Sequence, residues 1–166
     1  MSLSPDSPFP ILIYLAGPMD GIGRKEARVW RQNLGESGVG EFVCFYSPAH
    51  AYFGIGPNTI VVADFVNRMV LDVCNGVLAY FEEGAGFGTI REIDHARKTS
   101  TPVVIVDPLD RFDGSLMTYD CAVERDLDSG LMKLLEKISD ARNVEPTLWG
   151  FPLTQYRPVD PEDDNG

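Results

Sequence analysis

Residues 75–98 decide the fold class, and they read NGVLAYFEEGAGFGTIREIDHARK. The apolar run from Asn75 to Phe81 predicts a buried strand, the glycines at 84–88 predict a loop, and the pattern from about Ile90 to Lys98 predicts a helix. Further strands are predicted at 11–16, 41–46 and 101–106, and further helices at 25–34, 60–70 and 123–138. Continuous apolar strands that alternate with helices are typical of a parallel sheet covered on both faces. We therefore predict an α/β fold.

The length of 166 residues fits a single domain. Residues 1–9 are polar and proline-rich and are interpreted as a flexible lead-in, residues 10–157 as the domain, and residues 158–166 as an acidic tail. The stretch from about residue 141 is expected to lie across the domain as an extended arm or an edge strand. The chain shows no signal-peptide pattern and no apolar run near the ~20 residues of a membrane span, so a cytoplasmic protein is expected.

Charge and composition restrict the class of ligand. The net charge of −11 argues against binding to nucleic acid polymers or anionic membranes, but it leaves room for a small molecule. Cys44, Cys74 and Cys121 are too widely spaced for a metal pair or a disulfide framework, and the first two are expected to be buried thiols because they lie in apolar runs. His50 and His95 have no partner at a metal-binding spacing. We therefore expect no metal and no cofactor.

Glu92 is the first candidate for chemistry. In parallel sheets ligands bind outside the carboxyl ends of the strands, and Glu92 follows such an end and a glycine-rich loop. The stretch from Thr89 to Glu92 has the spacing of a capping box, in which the glutamate would only cap the helix. The same position at a helix start also favours an ionised carboxylate, as a nucleophile requires. The pattern leaves both interpretations open.

Two more side chains have two interpretations each. Asp64 can form a surface pair with Arg68 on a helix, or it can be a second carboxylate beside Glu92. Tyr14 can be a core aromatic, or its hydroxyl can lie at the site because it is near the end of its strand. His95 shares roughly one helix face with Glu92 and is considered only as a neighbour that supports it.

Three segments, taken in order, resemble the nucleoside 2-deoxyribosyltransferase family, whose relatives include the 2′-deoxynucleoside 5′-phosphate N-hydrolases. They are Ile13-Tyr-Leu-Ala-Gly-Pro-Met19, then Asp64, then Gly86-Phe-Gly-Thr-Ile-Arg-Glu-Ile-Asp-His-Ala96. The resemblance implies a flavodoxin-like three-layer α/β/α sandwich with a mainly parallel sheet of about five strands. It implies that Glu92 attacks C1′ of the deoxyribose, that Tyr14 orients Glu92, and that Asp64 donates a proton to the leaving base.

The resemblance also implies contacts with the substrate. The expected substrate-binding residues are Gly17, Met19, Gly86, Gly88, Ser115 and Met117. The segment Ser115–Met117 resembles one that reaches into the site of a neighbouring subunit. A homo-oligomer with shared active sites is therefore expected.

The sequence departs from the family at the sugar and phosphate positions. Gly86 stands where the transferases often have a sugar-binding aspartate, and Glu83 is a possible substitute. Asp20 stands near the place where the hydrolases carry a phosphate-binding arginine, and Arg24 is four residues further on. We therefore expect transfer of deoxyribose from a nucleoside to a free nucleobase. The alternatives are an N-hydrolase of a 2′-deoxynucleoside or its 5′-monophosphate, and a nucleotide-binding module without turnover.

Overall fold

The computed structural model describes residues 10–18, 26–36, 43–49, 60–81, 86–112 and 119–141. Five strands and four helices follow one another in these ranges. They are β1 (Ile11–Ala16), α1 (Glu26–Glu36), β2 (Val43–Tyr46), α2 (Ile60–Val73), β3 (Gly76–Tyr80), α3 (Phe87–Lys98), β4 (Val103–Val106), β5 (Ala122–Glu124) and α4 (Leu127–Ala141).

The five strands form one sheet in the order β2-β1-β3-β4-β5, and every neighbouring pair is parallel. This is the flavodoxin-like order, in which the direction of winding reverses between β1 and β3. The predicted α/β fold with a parallel sheet of about five strands is confirmed.

Helices cover both faces of the sheet. The side chains of β1 show this, because they alternate between two cores. Ile13 and Leu15 pack in one core with side chains of α1 and α4. Tyr14 and Ala16 pack in the other with side chains of α2 and α3. The alternation follows from the two-residue period of a strand, and it gives the three layers that the resemblance implies.

The helix predicted at 123–138 is wrong at its start. Residues 122–124 form the edge strand β5, because their backbone pairs with β4. The helix α4 begins at Leu127, where Asp126 caps it: the Asp126 carboxylate accepts hydrogen bonds from the Ser129 amide at 2.8 Å and from the Ser129 hydroxyl at 2.9 Å. Strand pairing and an N-cap together outweigh the apolar spacing that suggested a longer helix.

Smaller differences concern the cysteines and the chain ends. The three cysteines are free thiols, but Cys44 is exposed because it lies on the edge strand β2, whereas Cys74 is buried as expected. None of the helices in the described ranges is long and apolar enough to cross a membrane. The lead-in at 1–9, the arm expected beyond residue 141 and the tail at 158–166 lie outside the described residues.

Candidate active site

Two of the predicted site residues meet at the point where the winding of the sheet reverses. Tyr14 lies on β1, and Glu92 lies on α3, the helix that follows β3. The Tyr14 hydroxyl donates a hydrogen bond to Glu92 Oε1 at 2.6 Å. In sheets of this type the crevice beside the reversal, outside the carboxyl ends of the strands, is the usual ligand site. The contact between Tyr14 and Glu92 therefore lies at the position where this fold offers a binding crevice.

Tyr14 is held rigidly in the core. Its side chain is fully buried, and its ring lies 5.4 Å from the ring of Tyr46 on β2. The Tyr46 hydroxyl in turn donates to Asn67 Oδ1 on α2 at 3.1 Å. Because its ring is fixed by this packing, the Tyr14 hydroxyl presents a fixed donor to the carboxylate.

Glu92 does not form the capping box that its spacing suggested. Helix α3 begins at Phe87, three residues earlier than predicted, and its N-cap is Gly86, which makes no side-chain capping bond. Thr89 is therefore buried inside the first turn, and Glu92 lies in the second turn. The capping-box interpretation is wrong. With no backbone amide to cap, the Glu92 carboxylate is directed to Tyr14.

The surroundings of Glu92 bring its titration close to neutral pH. Burial raises the pKa of Glu92 to about 7, because removal from water penalises the charged form. The hydrogen bond from Tyr14 and the positive charge of Arg31 lower this pKa, and the negative charge of Asp64 raises it. At neutral pH the side chain is thus present in both forms, which suits a group that alternates between nucleophile and leaving group.

Asp64 forms the surface pair that its sequence position allowed. Its carboxylate is paired with Arg68 on the next turn of α2 at 2.8 Å, and both side chains are 49% exposed. The surface pair is therefore real. The negative charge of Asp64 also raises the pKa of Glu92, with a weaker effect than burial, Tyr14 or Arg31, and its expected role as proton donor remains a prediction. Helices α2 and α3 thus bring two carboxylates with different environments, one exposed and one enclosed, into the same region.

The described glycines differ in what they contribute. A Cβ atom on Gly17 would stand 2.9 Å from both Arg31 Nη2 and Trp30 Cζ2, so this glycine is required for the packing of α1. A Cβ atom on Gly86 would make only ordinary contacts, the nearest to Pro18 at 3.6 Å. A Cβ atom on Gly88 would meet open space. Both positions at the start of α3 therefore have room for larger side chains.

Several predicted residues lie outside the described part of the chain. They are Met19, Ser115 and Met117, together with Glu83, Asp20, Arg24 and His50. Their expected roles remain predictions.

Arg31 is the residue near the site that the sequence analysis missed. It lies on α1, is 2% exposed, and donates a hydrogen bond from Nη2 to the Gly17 carbonyl at 3.2 Å. A signal was available, because Arg31 precedes the buried Leu34 by three residues and so falls on the inner face of the helix. A charged residue at a core position of an amphipathic helix is unusual and often functional.

In the structure the His95 ring bonds to a carboxylate of α2. Its Nε2 atom lies 2.6 Å from Asp72 Oδ1, so it joins α3 to α2 on the outer surface. Among the described residues no group of three or more histidine, cysteine, aspartate or glutamate side chains is arranged to hold a metal ion.

No protein-family model and no curated protein matches the chain. Solved structures do match. A 2-desoxiribosyltransferase from Leishmania mexicana aligns with a TM-score of 0.60 and 18% identity, over 76% of this chain and 98% of that one. A 2-deoxyribosyltransferase from Bacillus psychrosaccharolyticus aligns with a TM-score of 0.57 and 16% identity, over 90% and 99%. A conserved protein from Enterococcus faecalis V583 aligns with a TM-score of 0.53 and 16% identity, over 80% and 99%.

These likenesses extend over nearly the whole of each solved chain. At identities of 16–18% they show that the fold is shared. They leave the chemistry to be argued from the residues of this chain.

Proposed function

We propose that this protein is a nucleoside 2-deoxyribosyltransferase, which cleaves the N-glycosidic bond of a 2′-deoxynucleoside and transfers the sugar to another base. The observation that carries the proposal is the 2.6 Å hydrogen bond from the buried Tyr14 to Glu92 at the ligand edge of the sheet. Asp64 adds a second carboxylate in the same region. The fold is shared with two proteins that are named 2-deoxyribosyltransferases.

In the first step a Glu92 oxygen forms a bond to C1′ as the bond from C1′ to the base nitrogen breaks. The half-exposed Asp64 takes a proton from solvent and passes it to the departing base, so the base leaves neutral. Tyr14 holds the carboxylate in line through its hydrogen bond and stabilises the ionised form, which is the nucleophilic one. The product is a covalent deoxyribosyl ester of Glu92.

In the second step a nitrogen of the incoming base attacks C1′ and the bond to Glu92 breaks. Asp64 takes up the proton that the incoming base loses and releases it to solvent, and Glu92 returns to its carboxylate form. Two inversions at C1′ leave the configuration retained. If water attacks instead, the same intermediate yields free deoxyribose and the protein is an N-hydrolase. Neither step requires a metal or a cofactor.

The substrates that we propose are a neutral nucleoside and a free nucleobase. The net charge of −11 and the two carboxylates disfavour a phosphorylated substrate. An acidic residue at position 20, near the place where a phosphate-binding arginine would be expected, points the same way. Turnover of a 5′-monophosphate would correct this part of the proposal without affecting the role of Glu92.

We further propose that the protein is a homo-oligomer, with α2 in the contact between copies. Four apolar side chains on α2 are each more than half exposed, and their spacing of three, four and four residues places them on one helix face. They are Val62, Phe65, Met69 and Val73. A contiguous apolar face of this kind is typical of a protein interface. Since Asp64 lies on the same helix, such a contact would border the site.

Product analysis tests the proposal. The protein is incubated with deoxyadenosine, deoxycytidine or thymidine and a second base, and the products are separated by chromatography. We expect a new nucleoside with the wild type and a loss of roughly 10³-fold or more with Glu92→Gln. Asp94→Asn is the matched control, because Asp94 is an exposed carboxylate two residues further along the same helix.

A 2-fluoro-2-deoxy nucleoside locates the covalent bond. The fluorine slows the second step, and trypsin cleavage after Arg91 and Arg97 places the expected label on the peptide 92–97. A label elsewhere, or full turnover by Glu92→Gln, would contradict the mechanism. Free deoxyribose without an acceptor base would indicate the hydrolase. Nucleotide binding without any product would indicate a binding module.

A further inference from the structure

Arg31 is a buried cation at the end of β1. Its guanidinium carbon lies 4.4 Å from the centre of the Trp30 ring, and its Nη2 atom donates to the carbonyl of Gly17. Gly17 is the first residue after β1, three positions beyond Tyr14. The space for the guanidinium exists because Gly17 has no side chain. The arginine is therefore built into the fold at the strand end that carries the site.

Arg31 comes from the layer opposite to the other site residues. Helix α1 packs on the face of the sheet that it shares with α4, whereas Asp64 and Glu92 lie on α2 and α3 on the other face. The guanidinium lies at Gly17, just beyond the end of β1, so it adjoins the strand end that carries Tyr14. This is how a residue of one helix layer influences a carboxylate of the other.

The electrostatic relation between Arg31 and Glu92 is mutual. Burial lowers the pKa of Arg31 to about 10, and the negative charge of Glu92 opposes that fall. The side chain therefore stays positively charged at neutral pH. A buried charge is strongly unfavourable unless an opposite charge and hydrogen bonds offset it. A carboxylate nearby supplies that offset, and the benefit to Glu92 is a more readily ionised side chain.

We propose that Arg31 is a positioning residue for the Glu92 carboxylate. Arg31 supplies a buried positive charge across the sheet edge and anchors the end of β1 through the Gly17 carbonyl. The inference rests on the proposed function for the task of Glu92, but the relation between the two charges can be measured without turnover. Among the described residues, the titratable groups whose charges or hydrogen bonds act on Glu92 are Tyr14 from β1, Arg31 from α1 and Asp64 from α2.

The experiment follows the ¹³C carboxyl resonance of Glu92 by NMR as the pH is varied, in protein labelled at glutamate Cδ. Glu92→Gln assigns the resonance. In Arg31→Gln, which keeps a donor for the Gly17 carbonyl but loses the charge, we expect the pKa of Glu92 to rise by roughly one unit or more. In Arg31→Lys, which keeps the charge, the rise is expected to be smaller. The matched control is Arg97→Met, because Arg97 lies on the helix of Glu92 but pairs with Asp120.

An unchanged Glu92 titration in Arg31→Gln, or an equal rise in Arg31→Lys and Arg31→Gln, overturns the inference. If Arg31→Gln does not fold, Arg31→Met is titrated with the same criteria. If neither neutral variant folds, Arg31→Lys decides: a measurable rise of less than one unit supports the inference, and no rise or a larger rise contradicts it. If the protein is an active enzyme, the acidic limb of its pH profile of kcat/KM shifts to higher pH in the neutral variants. If no transfer is found while the titration still shifts, the proposed function fails and the role of Arg31 stands.

Discussion

Replacing Glu92 by glutamine should stabilise the protein at pH 8 much more than at pH 5. The pKa of Glu92 is about 7 in the folded chain, against an ordinary value of 4.5. Between these values the folded state binds more protons than the unfolded state, so the free energy of unfolding falls as the pH rises. The loss is complete above pH 7. A glutamine is neutral at every pH, so the variant does not undergo this loss of stability.

The size of the effect follows from the two pKa values. A tenfold change in proton affinity corresponds to 1.36 kcal/mol. Moving the pKa from 4.5 to about 7 therefore penalises the folded state by about 3 kcal/mol at pH 8, of which about 2.5 kcal/mol develops between pH 5 and pH 8. These values are ceilings, because solvent reaches part of the side chain and the hydrogen bond from Tyr14 is weaker with a neutral acceptor.

Urea denaturation of the wild type and Glu92→Gln at several pH values from 5 to 8 measures the difference, provided that the m-value does not change. Asp94→Asn is the control, because Asp94 is exposed, is bonded to Lys98, and has a pKa held below its ordinary value. Its contribution does not change above pH 5. The reasoning fails if Glu92→Gln and the wild type differ by the same amount at every pH, or if the variant is the less stable one at pH 8.

Four further outcomes follow from the same geometry. Tyr14→Phe removes the donor that favours ionised Glu92, so the acidic limb of the kcat/KM profile should move up by about one pH unit. Asp64→Asn should lower turnover about 10²-fold or more, and less for a base that departs without protonation. Gly17→Ala should lower the free energy of unfolding by about 1–3 kcal/mol, because the added Cβ meets two buried side chains of α1. Phe65→Asp should shift the protein to a smaller assembly in size-exclusion chromatography with light scattering, because it places a charge on the exposed apolar face of α2.

Three of these outcomes have a control variant. Arg68→Ala breaks the pair with Asp64 but keeps the proton donor, so an equal loss of turnover in both variants would contradict the role of Asp64. Gly88→Ala places its Cβ in open space, and it should not lower stability as Gly17→Ala does. Tyr119→Asp adds the same charge at another exposed apolar position, and it should leave the assembly intact. An unshifted acidic limb in Tyr14→Phe would mean that the hydrogen bond does not control ionisation.

The described strands and helices show where the prediction from the sequence pattern differs from the structure. The four strands that were predicted are present, because a strand in a parallel sheet needs an unbroken apolar run, and such runs are visible in the chain itself. The fifth strand was missed because Ala122–Glu124 has no such run. Its pairing with β4 is what makes it a strand. The start of α3 was placed at a capping motif, but the backbone that follows β3 had already entered the helix at Phe87.

At the site, the sequence by itself determined which side chains were available. The order of Tyr14, Asp64 and Glu92 and the glycine loop before α3 are local features that require no knowledge of the fold. Only the tertiary structure decided that Tyr14 and Glu92 touch, because 78 residues separate them and parallel pairing brings their elements to one edge. It alone placed the charge of Arg31 at that edge, and it set the burial that brings the pKa of Glu92 to about 7. Periodicity reports the neighbours of a residue along one helix or strand, whereas ionisation depends on water and charges contributed by several elements at once.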